Sequence, residues 1–539
     1  MSIRLTKVFV KNFKSIKSLD LTLSFSNVFF GKNGAGKSAI LKAINTAVNE
    51  LNITKNDVFA GENEEFDPKK QVIIDLCFEP EGLEENTIDS EWKKILTGCI
   101  GKLDKTNREI FAFRTVFSYD EKADKFNAQK YVINVYKNNG ESLIGEPLRD
   151  GILSFHIHSY YLNASRSAQE NLKDREDYWQ NMIEFTQLAR DYDYSLLPKE
   201  IREDLANFNI DYAEKTILQD MDDSSGTSSV IVFETMKKQI ETVYKIVKPF
   251  HSIYLVEEPE SHMHPQAQMQ VMKIINNTPG QKYVATHSSY IVNHFPIHKL
   301  CRVVNEGEGT RIYKFGNRLS MKELRNINLR CMLYKAEMVF ANKVVLFEGQ
   351  TEHIALPIYF NKFFGNHPFE SGYSFVYVEG SNNYKSYLEI CNAFHIDWHV
   401  YSDGEQVVID FLNNMMRDVS GNKGDVENDP HYVIIKDNLC YEDDLIYHGF
   451  ANDVSEAIDI LEKTPNYIRN RLMNGYAWKQ FKSESKKYIQ EVDDYLQALS
   501  YYSKRHKIDL AEIVSKTICK NHDKNDLPRS VLELFNKIK

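Results

Sequence analysis

The stretch that most restricts the fold is "SNVFFGKNGAGKSAILKAINTAVNEL", residues 26–51. A short apolar strand pattern runs into G-x-x-x-x-G-K-S, Gly31 to Ser38. A helical pattern follows, with Ile40, Leu41, Ile44, Ala47, Val48 and Leu51 at 3/4 spacing. Gly31, Gly34 and Gly36 allow backbone conformations that a side chain would block. The N–H groups of the loop (Gly31, Lys32, Asn33, Gly34, Ala35, Gly36) can then point at phosphate oxygens at a helix N-terminus. Lys37 is placed to reach the outer phosphates, and the Ser38 hydroxyl to hold Mg²⁺.

Further along, "HSIYLVEEPESHMHPQAQ" carries a β-prone run, Ile253 to Val256, ending in Glu257 and Glu258. After a phosphate loop, the first acid holds a water on Mg²⁺ and the second polarises the attacking water. About thirty residues on, "KYVATHSSYIV" is another strand ending in polar residues, with His287 placed to sense the last phosphate. The set resembles an ABC-type ATPase of the SMC-like branch, which implies ATP as cofactor. "EEPESHMHP" is similar to that branch's Walker B and D-loop, and "ATHSS" to its His switch. "DSSGTSS", Asp223 to Ser229, is similar to the signature loop with Ser225 and Gly226 at its core, although it departs from L-S-G-G-Q. The resemblance implies that one chain's phosphate loop meets another chain's signature loop, so two copies complete the sites. Residues about 165–220 read as polar amphipathic helices, an inserted dimerisation or arm segment. "YLNASR" ahead of them is similar to the "y-i-p-a-x-R" turn of related ATPases, a resemblance that implies Arg166 as a candidate nucleotide contact.

From about residue 336 the pattern becomes strand, helix, strand, helix: "KVVLFEG", "TEHIALPIYFNKFF", "YSFVYVEGS", "NYKSYLEICNAF", "WHVYSDGE", "HYVIIKD". That alternation predicts a parallel, Rossmann-like sheet whose functional groups gather at the strands' C-terminal ends. Glu348 ends the first strand, Glu352 follows one helical turn later, and Asp403 with Glu405 ends the third strand. Carboxylates converging on one sheet edge repel one another unless a cation is present, and all-oxygen donors suit Mg²⁺ or Mn²⁺. Such ions act on phosphate esters by activating water and stabilising the leaving oxygen.

This half resembles a Toprim domain, whose hallmarks are E-G-x-x-E, intact here as "EGQTE", and D-x-D, which reads Asp403-Gly404-Glu405. The resemblance implies a third acidic position at Glu442 with Asp443, and a late lysine for which "DKNDLPRSVLELF" offers Lys524. An SMC-like ATPase followed by Toprim in one chain resembles the OLD (overcoming lysogenization defect) family. It implies an ATP-dependent, Mg²⁺- or Mn²⁺-dependent DNA endonuclease and a homodimer or higher homo-oligomer. Gabija-type and retron-associated antiphage nucleases of that family extend the expectation to antiphage defence and to a retron reverse transcriptase and its msDNA as partners. The fold expectation is α/β: an N-terminal ATPase over 1–335, then a Toprim domain over 336–539 with helical additions about 451–517. Competing readings are a topoisomerase, a primase, and a DNA-binding ATPase clamp whose Toprim domain is inert.

Composition is compatible with all of this. The 539 residues exceed one compact core, and 42% hydrophobic with 26% charged residues is ordinary for a soluble protein. No run approaches the roughly 18 to 20 apolar residues of a membrane span, and the N-terminus lacks a signal-peptide core, so a cytoplasmic location is expected. Seven scattered cysteines without a C-x-x-C pair speak against zinc and disulfides. A formal charge of -10 requires any DNA contact to come from local patches. "YIRNRLMNGYAWKQFKSESKKYIQ" offers one, with Arg469, Arg471, Lys479, Lys482, Lys486 and Lys487 among aromatics.

Overall fold

The computed structural model describes residues 3–49, 51–61, 64, 66–82, 86–148, 156–162, 227–261, 263–307, 309–316, 319–332, 335–420, 424–473 and 495–539. The expected insertion at 165–220, Arg166, the signature-like Ser225 and Gly226, and the basic cluster from Lys479 to Lys487 lie outside the described residues. The chain divides into two compact units, residues 1–315 and 316–539.

Strands of the first unit are β1 (Ile3–Phe13), β2 (Ile16–Thr22), β3 (Ser26–Phe30), β4 (Val72–Pro80), β5 (Ile100–Leu103), β6 (Glu109–Asp120), β7 (Lys125–Tyr136), β8 (Leu143–Pro147), β9 (Ile157–Leu162), β10 (His251–Glu257), β11 (Gln281–Thr286), β12 (Leu300–Asn305) and β13 (Thr310–Lys314). Two sheets result. One, in the order β2-β1-β4-β6-β5-β7-β8, is mainly antiparallel; the other runs β13-β12-β3-β11-β10-β9 and is parallel except for β13. The helix Lys37–Asn49 packs against strands of both sheets, and its Ile40, Leu41, Ile44 and Val48 share a core with Val8, Leu76, Phe29 and Leu255. The strand β3 is buried throughout, as a central parallel strand covered on both faces must be. The order places β11 between β3 and β10, so the end of β11 stands between the phosphate loop and the Glu257–Glu258 pair.

The second unit holds a parallel sheet in the order β15-β14-β16-β17, formed by β14 (Lys343–Phe347), β15 (Tyr373–Tyr377), β16 (Asp397–Ser402) and β17 (Tyr432–Ile434). From β14 the chain goes first to one side and then to the other, which opens a crevice at the carboxyl ends of β14 and β16. Side chains alternate across the pleat. Val345 and Phe347 enter a core with Leu356, Tyr359 and Phe360 of the helix Gln350–Phe364, and this core continues into the helices Ala451–Glu462, Tyr495–Arg505, Lys507–Asn521 and Arg529–Ile538. Six of the seven cysteines are buried and all seven are free thiols. Among the described residues, no helix is long and apolar enough to cross a membrane.

Candidate ATPase and carboxylate sites

Gly31, Gly34 and Gly36 carry φ of 148°, 74° and 108°, backbone that disfavours any side chain. At Gly36 space is lacking as well: a Cβ would lie 2.1 Å from Thr310 Oγ1. The loop closes on its own lysine. Lys37 Nζ donates to the carbonyls of Gly31 (3.0 Å) and Lys32 (2.9 Å) and stands 3.3 Å from His287 Nδ1. Burial pulls this ammonium down to about 8, against the opposing charges of Glu258, Glu260 and Glu257. The other ring nitrogen of His287 is 3.1 Å from Glu258 Oε1, and burial followed by the Lys37 charge lowers the imidazole pKa. Glu258 sits at φ 43°, a strained position for a residue with a side chain, which aims its carboxylate across the end of β11. Glu257 is buried at the end of β10, while Ser38 is exposed at the start of the helix. The structure therefore brings Lys37, Glu258 and His287 into one chain of contacts.

In the second unit Phe347 pairs with Tyr401, so Glu348 and Asp403 leave adjacent parallel strands at the same edge. The spacing of E-G-x-x-E has a steric origin. The Glu352 carboxylate folds back over the start of its helix, and a Cβ at Gly349 would lie 2.0 Å from its Oε2. Gly404 is required for a related reason, since a Cβ there would lie 1.9 Å from the carbonyl oxygen of Ile435. Asp403 Oδ1 accepts from the backbone N–H of Tyr441 (2.9 Å), anchoring the turn that carries Glu442. Glu442 accepts from Thr351 Oγ1 (2.7 Å) and meets Lys507 Nζ at 3.1 Å.

Burial raises the Glu352 carboxyl to about 8, with the charge of Asp403 adding to it; burial also raises Asp403 to about 7, with Glu442 and Glu348 adding. Lys507 is pulled down by burial but lifted further by Glu442 and Asp403, and ends above its ordinary value. Burial raises the Tyr384 phenol well above its ordinary value, and the charges of Glu348, Glu352 and Asp403 add to it.

Glu405 stands apart. It precedes the helix Gln406–Ser420 and is exposed, because Gly404 N–H is tied to Leu439 O and Gln406 N–H to Asn438 Oδ1, which turns the chain outward. Glu442 takes its place beside Asp403. Asp443 is engaged by Ser500 Oγ and by Lys504 at 2.6 Å. Lys524 is exposed in the loop after the helix Lys507–Asn521, whereas Lys507 reaches Glu442. Sequence reasoning missed Lys507. Its signal was the run "KRHK" just ahead of a helix with Leu510, Ala511, Val514 and Ile518 on its buried face.

Hard carboxylate donors crowded into a buried edge, with Glu352 and Asp403 raised by their neighbours, have the chemistry that a divalent cation satisfies. As placed, Asp403 and Glu442 lean on protein donors, and Glu352 on its own backbone N–H. Among the described residues, no group of three or more His, Cys, Asp or Glu side chains is arranged to hold a metal ion. The donor set fits a divalent ion; closing round one requires side-chain rotation.

An AAA ATPase domain family matches residues 3–209, and the overcoming lysogenization defect protein-like Toprim domain family matches residues 339–404. A family described as a protein of unknown function (DUF2813) matches residues 198–336. These matches define the class: an ATPase domain joined to a Toprim domain in one chain. The chain thus carries an AAA ATPase domain and an OLD-like Toprim domain, the pairing of OLD-type ATPase–Toprim proteins. It is 23% identical over 239 residues to the uncharacterised protein YbjD of Escherichia coli (strain K12), spanning 43% of this chain and 41% of that one. It is 22% identical over 555 aligned positions to the endonuclease GajA of Bacillus cereus (strain VD045), spanning 94% of this chain and 88% of that one. The C-terminal region of the Burkholderia pseudomallei OLD protein superposes at a TM-score of 0.27, with 14% identity, covering 37% of this chain and 97% of that one.

Proposed function

We propose that this protein is an ATP-hydrolysing, Mg²⁺- or Mn²⁺-dependent DNA endonuclease of antiphage defence, working in the cytoplasm as a homodimer or larger homo-oligomer. The observation that carries the reading is the convergence of Glu348, Glu352, Asp403 and Glu442 at the carboxyl edge of the Toprim sheet, beside Lys507. The similarity to GajA, named an endonuclease, supports it.

Glu348 and Asp403, with Glu352 and Glu442, would hold the ion. When bound, such an ion supplies water activation and stabilises the leaving oxygen. The residues themselves do the rest. Lys507 offsets the buried charge of Glu442 and would meet a phosphate. Thr351 fixes the Glu442 carboxylate, and the Asp403 bond to Tyr441 N–H holds the two acids in register. In the first unit Ser38 and Glu257 would hold Mg²⁺, Lys37 would bind the outer phosphates, and Glu258 would accept a proton from the attacking water, with His287 oriented between them. Ser225 and Gly226 of a second copy would close the nucleotide site.

A second reading, an ATPase clamp with an inert Toprim domain, draws on the fact that the described acids are not arranged as a ligand set as they stand. Incubation of supercoiled plasmid with Mg²⁺ or Mn²⁺, with and without ATP, separates the two. Nicked or linear product supports the nuclease; intact plasmid with continuing ATP hydrolysis supports the clamp; a relaxed closed circle would indicate a topoisomerase.

A further inference from the structure

The turn after β10 grips His287 at both ends. Glu258 O accepts from Ser261 N–H (3.0 Å), closing a tight turn across Pro259 and Glu260, while Glu258 N–H donates to Ala285 O (2.7 Å) at the end of β11. From this turn the Glu258 carboxylate reaches the His287 ring at 3.1 Å, with its other oxygen held by Ser261 Oγ (3.1 Å). Glu260, two residues on, reaches the other end of the same residue. Its Oε1 accepts from His287 N–H (3.1 Å), Ser288 N–H (3.1 Å) and Thr286 Oγ1 (2.5 Å). One carboxylate oxygen thus collects three donors from three successive residues, the turn that carries β11 into the helix Ser289–Asn293.

Resting on the ATPase reading above, we infer that Glu260 is a positioning residue for ATP hydrolysis: it locks the His287 backbone to the turn that carries Glu258, so that imidazole and general base are held as one unit. The chemistry requires such a lock. Lys37, His287 and Glu258 form a single line, Lys37 Nζ to His287 Nδ1 and His287 Nε2 to Glu258. A nucleotide that draws Lys37 onto its outer phosphates breaks the first of these contacts, and the ring would then be steered by Glu258 alone. A backbone pinned at His287 and Ser288, with the Thr286 hydroxyl on the same oxygen, leaves only the ring torsions free. The imidazole stays within reach of both the base and the phosphate. A carboxylate suits this nest because a single oxygen can accept several bonds, and charge-assisted bonds to backbone N–H groups are the strong ones.

The test compares Glu260→Ala, Glu260→Gln and wild type, in the full chain. Glutamine keeps an acceptor oxygen at the same reach, whereas alanine leaves three donors without it. Glu260→Ala is expected to lower kcat for ATP hydrolysis by about tenfold or more, with KM for ATP within about threefold. Glu260→Gln is expected to recover most of kcat. Histidine side-chain NMR of ¹⁵N-His protein without nucleotide, with the His287 signal assigned by its loss in His287→Gln, supplies a readout independent of turnover. The His287 signal is expected to broaden or shift in Glu260→Ala and to stay near the wild-type position in Glu260→Gln. An unchanged signal in Glu260→Ala, or equal loss of kcat in both variants with normal melting curves, overturns the inference. If wild type hydrolyses no ATP, the ATPase reading fails, and the NMR comparison still decides whether Glu260 positions His287.

Discussion

Lys507 Nζ lies 3.1 Å from Glu442 Oε2, an ion pair between a half-exposed lysine and a buried carboxylate 65 residues earlier in the chain. The carboxylate is buried, so its polar contacts come from this partner and from Thr351 Oγ1. Lys507→Ala is therefore expected to lower stability in EDTA by about 1–2 kcal/mol, an amount discounted for the exposed lysine end. That corresponds to a fall of about 2–5 °C in Tm. Differential scanning calorimetry checks it, and addition of Mg²⁺ is expected to restore part of the loss.

The pH dependence of stability follows from Glu352, raised to about 8, and Asp403, raised to about 7. Both folded values exceed those of unfolded carboxylates, so between about pH 4 and 8 the native chain binds more protons than the unfolded one. Stability in EDTA is thus expected to fall as pH rises through that window. A divalent ion removes the repulsion that protons would otherwise relieve. The rise in Tm on adding Mg²⁺ should accordingly be larger at pH 8 than at pH 6, and smaller in Glu352→Gln at both. Thermal melts at the two pH values, with and without Mg²⁺, decide it.

Two glycines in the second unit should respond differently to alanine. At Gly404 the new Cβ meets the backbone oxygen of Ile435 at 1.9 Å, and backbone cannot step aside, so a loss of about 2–4 kcal/mol is expected. At Gly349 the Cβ meets only the end of the Glu352 side chain, which can rotate. Gly349→Ala should fold within about 1 kcal/mol of wild type yet bind Mn²⁺ more weakly, because it displaces a carboxylate of the cluster. Urea titration and Mn²⁺ titration by electron paramagnetic resonance separate the two effects.

Lys37→Ala is expected to abolish detectable ATP binding while leaving the fold intact, since the ammonium is held in the loop by the carbonyls of Gly31 and Lys32 and stands beside His287. Titration with a fluorescent ATP analogue is the check; binding within about threefold of wild type would remove the phosphate-loop assignment.

Local strings carried much of what could be read in the sequence. A phosphate loop has to spell its glycines because their backbone is strained, and a strand-terminal acid has to follow an apolar run, so Gly31–Ser38, Glu257–Glu258 and Glu348–Glu352 stand out without any fold in hand. The long-range pairings left no such trace. Nothing in spacing connects Glu442 with Thr351, 91 residues away, or Lys507 with Asp403. Glu405 stands where D-x-D would carry its second aspartate, yet the backbone bonds of Gly404 and Gln406 send it to the surface. The seven-stranded sheet of the first unit was also missed, because β4, β6 and β7 are joined through register rather than through motifs.

Plasmid cleavage by Glu348→Ala, measured beside ATP hydrolysis in the same preparation, tests the central claim most directly. Wild type is expected to nick or linearise supercoiled DNA with Mg²⁺ or Mn²⁺, and the variant to lose that cleavage while hydrolysing ATP at the wild-type rate. Undiminished cleavage by Glu348→Ala would contradict the assignment of the Toprim edge as the cutting site.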